Sequence, residues 1–491
     1  MAKSKQQNLW NTLIGFAGAG FGFVNQVVLM GRLFSTEELG LTRILFQAAT
    51  LYAQFIVFGG NNLTIRFFPG LRNQKLGNAR LFQAGFVILL VGLFSSSILL
   101  YLFEDSLLGV YASRSELFVQ YAIWTLPMAF GFAIFQWLGS WTHVLQKSVF
   151  ESRLKEVWLR LLITLAISLY AFGGIDWDLF VSGYSFIPLI VCIPLIVFAY
   201  RHDLFQKIQP VSFKEFREFL NFSFYNVLSR ASGFITLTID VLIIGSLVGL
   251  TGVAVYSIGT YIVGFVVIPS RALQKVAFPK IAHYWAEKDL ESIQRLYRNT
   301  SVGLFFWSGS LFVGGYFFAP VLISYLGSEY ELLLPVFLAF GLGRMVEMIT
   351  SINRGILRNS AIFKYETLFT LLFATSMIVC DLMFIPIWGK EAAIEGIVGA
   401  AWGSALSITI FNTLVSGLLF RKYNLSPFSK KHVYLIAWFG MWVFLLTPLE
   451  AFSIEWKNAL LRAILFGVST LILFAILHKK SDNRAWLSLS D

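Results

Sequence analysis

Long apolar stretches alternate with short polar gaps from one end of this chain to the other. As a helix, about 20 apolar residues cross roughly 30 Å of hydrocarbon, so each stretch has the length of a membrane span. Fourteen spans are predicted. The first seven run Leu9–Met30, Ile44–Asn61, Leu81–Phe103, Leu117–Trp141, Val157–Gly174, Leu179–Tyr200 and Phe222–Val248. The second seven run Val253–Phe278, Val302–Leu326, Leu332–Ile352, Thr367–Trp388, Ile397–Phe420, Val433–Leu449 and Ala459–Leu477. The first exceeds the roughly 7–15-residue apolar region of a cleaved signal peptide and lacks a small-residue cleavage site, so it reads as a span. The predicted class is an all-α polytopic membrane protein.

Composition agrees. Of 491 residues, 57% are hydrophobic and only 13% charged, about half the charge of a soluble surface. Fifty Phe and 14 Trp suit lipid contact and interfacial belts. The net charge of +11 gives no nucleic-acid patch, because the basic residues are scattered over the gaps between apolar runs. With a cytoplasmic N-terminus, 30 of the 38 Lys and Arg fall on the cytoplasmic side, from Lys3 and Lys5 through Lys75 and Lys207 to Lys479, Lys480 and Arg484. Arg32, Arg43, Arg114, Lys390, Lys457 and Arg462 fall outside, and Arg230 and Arg344 within spans. One missed or invented span would reverse every later loop, so this bias supports fourteen spans, a multi-pass membrane protein and two cytoplasmic termini. Ile281–Arg298 reads as an amphipathic segment lying along the headgroups.

A weak internal repeat is visible. Glu38-Leu39-Gly40-Leu41-Thr42 before span two matches Gly252-Val253-Ala254-Val255-Tyr256 before span eight, and Phe68-Pro69 matches Phe278-Pro279. The repeat predicts two parallel six-helix bundles, 1–200 and 201–420, followed by two further helices in 421–491. Substrate sites of such proteins lie between the halves.

Polar residues inside spans are costly and face a cavity or a partner. Asn11, Gly15, Gly18, Gly22 and Asn25 share one face of span one, and Arg43, Gln47, Thr50, Gln54 and Asn61 one face of span two. Span seven carries Asn226, Arg230, Gly233, Thr236 and Asp240, and span eight Tyr256, Thr260, Gly264 and Arg271. For span one, close helix packing is the better reading. For span seven, Arg and Asp on one face favour a hydrated cavity. Arg230, Arg66 and Arg271 together could hold a phosphate or pyrophosphate through forked hydrogen bonds, and Asn25, Gln47, Gln54, Asn61 and Asn226 are candidate substrate-binding residues of the same cavity. Taken singly, Arg66 and Arg271 read as residues snorkelling to the interface. Arg344 and Glu347, three apart in span ten, suit either a structural pair or an ion relay. Asp381 in span eleven has no basic residue within a helical turn of it in sequence, and with Asp240 is a candidate for coupling to a proton or sodium ion.

Other chemistries find little support. No Walker A pattern occurs, and no gap is long enough to fold as a nucleotide-binding domain. The five histidines fall outside the spans, so intramembrane acyl transfer has no His candidate. Glu37 and Glu38 are placed for a glycan-assembly enzyme, but interfacial solvation explains them better. Cys192 and Cys380 lie far apart in apolar runs, without metal or disulfide spacing, and read as buried small hydrophobes. No catalytic residue, metal or cofactor is expected.

The Asn11–Arg32 helix followed by Phe34-Ser35-Thr36-Glu37-Glu38-Leu39-Gly40-Leu41 resembles the first span and following turn of Wzx-type flippases. These form the polysaccharide branch of the multidrug/oligosaccharidyl-lipid/polysaccharide (MOP) exporter superfamily. Gly59-Gly60-Asn61-Asn62-Leu63-Thr64-Ile65-Arg66 resembles the end of its second span, and Asp240, Val253–Ser257 and Phe278-Pro279 its seventh and eighth. Where Gly-Leu-Tyr is usual, this chain has Gly40-Leu41-Thr42 and Ala254-Val255-Tyr256. The resemblance covers essentially the whole chain, through degenerate motifs. It implies two six-helix bundles around a central cavity lined by spans one, two, seven and eight. It further implies flipping of an undecaprenyl-pyrophosphate-linked oligosaccharide across the bacterial inner membrane for surface polysaccharide such as O-antigen. Implied partners are that lipid-linked glycan, membrane lipids, and the polymerase and chain-length machinery, with no nucleic acid. A cation-coupled multidrug antiporter of the same superfamily is the alternative.

Overall fold

The computed structural model describes residues 2–72, 74, 76–205 and 212–480. Lys75, Lys207 and Arg484, counted above, lie outside the described residues, as do the side chains of Lys3, Lys5, Arg230, Lys479 and Lys480. Every regular element described is a helix, as hydrocarbon demands of a chain that must satisfy its own backbone. Two compact units make up the fold, Met1–Ala254 and Val255–Asp491. Their seam lies within the helix Leu250–Ala286, later in the chain than the boundary read from the repeat.

Among the described residues, ten helices are long and apolar enough to cross a membrane, or eleven with one bent pair, against the fourteen expected. The other three expected spans fall on helices that miss this standard for identifiable reasons. Span five is Ser148–Arg153 and Leu159–Ala171 joined by a π-helical turn, and its first half is rich in charge. Span seven is Phe213–Leu247, of which Gly233–Leu247 stands out as a short apolar helix. Span thirteen, Lys430–Leu446, has only 17 residues.

In the first unit, span two starts earlier than expected because Ser35 and Glu38 form a capping box. Glu38 N–H donates to Ser35 Oγ (3.2 Å) and Ser35 N–H to Glu38 Oε2 (2.8 Å). Glu38 Oε1 also accepts from the Tyr170 hydroxyl at 2.6 Å, so a cap and a tertiary contact account for this carboxylate. Thr36–Val57 then ends on two left-handed residues, Phe58 (φ 46°) and Gly59 (φ 73°), and the span resumes as Gly60–Leu71 after a 40° bend. Span one is likewise interrupted by a π-helical turn, Val24–Leu29. Its polar face meets span five: Asn11 Nδ2 donates to Ser148 Oγ (3.1 Å), Glu156 lies over Gly18, and Asn25 Nδ2 donates to the Arg160 carbonyl (2.8 Å).

The start of span two meets residues just before the second repeat segment. Thr36 Oγ1 and Thr251 Oγ1 are 3.4 Å apart, and Gly40 lies against the Leu250 backbone.

In the second unit, Leu250–Ala286 and Leu290–Leu326 are each 37 residues, about 55 Å long and well beyond the hydrocarbon thickness. The segment expected along the headgroups is therefore the joined ends of two long helices. Its apolar side, Ile281, Ile293 and Tyr297, is fully buried with Ala277 against Ile356, Val415 and Leu419. The last two spans, Lys430–Leu446 and Glu455–Lys480, pack on Leu290–Leu326 through Phe305, Phe306, Phe317, Phe439 and Phe466.

Gly40 gives a direct test of the first unit. A Cβ there would stand 2.1 Å from the Leu250 carbonyl oxygen and 2.6 Å from its carbon, whereas one at Gly15 meets nothing within 4 Å. Gly40→Ala is expected to destabilise the purified protein by about 1–3 kcal/mol, read as a lowered melting temperature, with Gly15→Ala unchanged or slightly stabilised. Equal melting temperatures for the two variants would refute this packing.

Candidate functional site

In the first unit, the helix Gly60–Leu71 lies antiparallel to the start of Phe213–Leu247, joined by a ladder of unlike contacts. Asn62 Nδ2 donates to Asn226 Oδ1 at 2.8 Å, and Asn226 Nδ2 donates to the Phe222 carbonyl at 3.0 Å. One turn along both helices, the Arg66 guanidinium lies 5.2 Å from the Phe222 ring centroid and 5.9 Å from that of Phe67. Phe67 meets Phe219 and Phe222 edge-on, with centroids 4.7 and 5.6 Å apart. Beyond these, Arg80 pairs with Glu215. The Ser212 hydroxyl, with Arg80 assisting, holds the Glu215 carboxyl below its ordinary range.

Arg66 is stacked on aromatic rings without an ion pair among the described residues, whereas Arg344 and Arg354, also stacked, each face a carboxylate. Arg66 is exposed, and its guanidinium makes no hydrogen bond or ion pair with any described residue. Its charge is held on aromatic faces, and its forked donors remain available to an anion. Arg271, in the second unit, is also exposed and without such a partner among the described residues. Arg230 lies one turn beyond Asn226 on the helix Phe213–Leu247, with its side chain outside the described residues.

The other candidates are placed differently. The Asn25 amide is committed, since it donates to the Arg160 carbonyl and accepts from Thr164 Oγ1 at 2.7 Å. Gln54 is buried and donates to its own helix at the Thr50 carbonyl, 3.1 Å away. Gln47 is half-buried without a hydrogen-bond partner among the described residues. Asn61 is buried, its Oδ1 accepting from the Asn62 N–H at 2.9 Å. Asp240 is buried in the helix Phe213–Leu247.

In the second unit, Arg344 donates to Glu347 Oε2 at 2.5 Å and lies 4.8 Å from the Phe340 ring centroid. Asp381 is fully buried beneath Gly403, where an added Cβ would stand 3.2 Å from its Oδ1. A polar knot the sequence reading did not single out surrounds Asn412. Its Oδ1 accepts from Thr350 Oγ1 (2.9 Å) and Asn353 Nδ2 (3.3 Å), while Gln274 Nε2 donates to the Ser351 carbonyl (3.1 Å). Arg358 is forked onto Glu366, with Nε 3.0 and 3.1 Å from its two oxygens. Also unanticipated were the contacts of Asn62, Phe219 and Phe222 and the Arg80–Glu215 pair. Among the described residues, no three His, Cys, Asp or Glu are grouped to hold a metal ion.

No curated protein sequence matches the chain. Solved structures do resemble it. The lipid II flippase MurJ in an inward closed conformation has a TM-score of 0.73 and 15% identity, covering 96% of this chain and 99% of its own. An inward-facing multidrug resistance MATE family transporter of the MOP superfamily has a TM-score of 0.62 and 14% identity, covering 84% and 96%. A mutant of the Vibrio cholerae MATE transporter VcmN has a TM-score of 0.54 and 16% identity, covering 86% and 99%. At such identities the likeness speaks to fold, which is that of MOP transporters. Residues 4–285, more than half of the chain, match the sequence model of the polysaccharide biosynthesis protein family. This helical membrane protein therefore belongs to the polysaccharide biosynthesis protein family, and its fold resembles that of a MOP superfamily transporter.

Proposed function

We propose that this protein flips an undecaprenyl-pyrophosphate-linked oligosaccharide from the inner to the outer leaflet of the bacterial cytoplasmic membrane, for assembly of surface polysaccharide. The observation that carries the reading is Arg66, a guanidinium at a helix–helix ladder that is stacked rather than ion-paired. Family membership and the fold shared with a lipid II flippase support it. A glycan cannot cross hydrocarbon unaided, because each hydroxyl would lose hydrogen bonds to water at a cost of kilocalories. A polar cavity removes that barrier while the prenyl tail stays in lipid. On this reading Arg66, Arg230 and Arg271 attract the pyrophosphate, with Asn61, Asn226, Gln47 and Gln54 available to sugar hydroxyls. The bundles 1–200 and 201–420 then rock to alternate access. The polymerase receives the product outside.

The decisive experiment locates lipid-linked oligosaccharide after deletion of the gene. Complete units are expected to accumulate on the inner leaflet, and the intact gene to restore their outer exposure. Units that are never completed would instead indicate an assembly enzyme. Arg66→Gln is expected to lower export at least about tenfold, the loss of roughly 1.4 kcal/mol of headgroup attraction. Arg66→Lys should recover only part of it, because Lys lacks the fork and the stacking. Unchanged export by Arg66, Arg230 and Arg271 variants alike would overturn the assignment.

A second reading, cation-coupled drug efflux, is favoured by the buried carboxylates Asp240 and Asp381 and by the fold shared with MATE transporters. Under either reading, Asp240→Asn and Asp381→Asn are expected to abolish dependence of transport on a proton or sodium gradient, measured in proteoliposomes. The Arg344–Glu347 pair is a further place for such coupling. Gradient dependence that survives both Asp substitutions would remove the two carboxylates from the coupling scheme.

A further inference from the structure

The segment joining the helix Gly396–Tyr423 to Lys430–Leu446 is held in one shape by two anchors on a third helix, Leu290–Leu326. The first anchor is Gln294, whose amide bonds both backbone groups of Ser426. Gln294 Nε2 donates to the Ser426 carbonyl at 2.7 Å, and Ser426 N–H donates to Gln294 Oε1 at 2.8 Å. The second anchor is His432, whose Nε2 lies 3.0 Å from Ser301 Oγ and whose Nδ1 accepts from Ser429 N–H at 3.1 Å. Gln294 and Ser301 are about two turns apart, so both anchors use one face of that helix. On either side of Ser426, Leu425 and Pro427 are buried, and Asn424 closes the preceding helix in the left-handed conformation (φ 56°).

What this fixed segment presents outward is Phe428, 62% exposed, together with the exposed Arg421, Lys422, Lys430 and Lys431. Residues 421–432 contain no Asp or Glu, so the charge of the segment is of one sign. Because the segment links two apolar helices, it lies at the depth of the headgroups. There an aromatic ring partitions into the boundary region and ammonium or guanidinium groups meet lipid phosphates.

We propose that this platform is a preformed binding surface for the headgroup of an anionic phospholipid. Scattered basic residues near a membrane give diffuse attraction. Here two anchors fix the backbone that carries Phe428 and Lys430 between basic residues at both helix ends, which makes binding saturable and dependent on the anchor as well as on the charge. The surface requires only that the flanking helices cross the membrane, and it stands apart from the assignment of the transported substrate.

The test uses the full-length protein in a non-ionic detergent, titrated with dioleoylphosphatidylglycerol or dioleoylphosphatidylcholine while its melting temperature is followed. Phosphatidylglycerol is expected to give a saturable rise, at least about 3 °C above phosphatidylcholine, as a ligand bound only by the folded state must. Replacing Arg421, Lys422, Lys430 and Lys431 by Gln should remove that rise while leaving the melting temperature in phosphatidylcholine unchanged. Gln294→Ala keeps every charge, and is expected to raise the half-saturating lipid concentration at least roughly fivefold against its own baseline. Equal responses to the two lipids, or a rise that survives in the four-residue variant, would overturn the proposal. So would an identical titration by Gln294→Ala, which would show unstructured attraction, or reproduction of the rise by inorganic pyrophosphate, which would show a soluble-anion site.

Discussion

Hydrocarbon offers no hydrogen bonds, so wherever a helix in this chain departs from regular winding, another part of the protein has to meet the groups released. Three interruptions follow this constraint, and each coincides with a cluster of amides or hydroxyls. The π-helical turn of span one holds Asn25, bridged to the Arg160 carbonyl and to Thr164. The left-handed break of span two at Phe58 and Gly59 is followed by Asn61 and Asn62, the latter tied to Asn226. The helix Leu333–Ile349 stops before Asn353–Asn359, and Asn412 and Gln274 gather the groups around that stop. In lipid-embedded protein, broken helices tolerated in this way are where transporters place their binding sites.

The positions of the helices were legible in the sequence because apolar length is a property of the chain alone. Their interruptions were not. The polar face Arg43, Gln47, Thr50, Gln54 and Asn61 assumes one unbroken helix, whereas two left-handed residues at 58 and 59 reset the register. After the reset it is Asn62, four residues before Arg66, that faces Asn226. The neighbours decide such a break, since Gly59 backs onto the Ser223 carbonyl of the next helix. Ile281–Arg298 was legible as amphipathic, but not that its apolar residues have partners at Ile356 and Val415, distant in sequence, or that two long helices continue through it. Of the polar face of span one, Asn11, Gly18 and Asn25 meet span five, a contact between helices that one helix's periodicity cannot announce. The Arg80–Glu215 and Arg358–Glu366 pairs carried no periodic signal that would have announced them.

Arginine placement separates two kinds of residue that composition treats alike. Arg80, Arg160, Arg344, Arg358 and Arg462 each have a carboxylate partner. Arg66 is exposed and rests on Phe222 and Phe67. The carboxylate pairs are partly exposed and each is worth only about 0–1 kcal/mol after solvent screening, but a ligand that drew such an arginine away would have to compete with its carboxylate. A cation–π contact is worth about 0.5–2 kcal/mol and leaves the guanidinium edge free. A phosphate can engage that edge without displacing the ring beneath it. Arg66 is better suited than Arg344 to a ligand that must be bound and then released, because no carboxylate among the described residues competes for its guanidinium. The ring also positions the guanidinium before the ligand arrives, reducing the side-chain entropy lost on binding. The same arrangement makes the ladder between Gly60–Leu71 and Phe213–Leu247 responsive: an anion at Arg66 alters the charge on one rung while the Asn62–Asn226 rung holds the register.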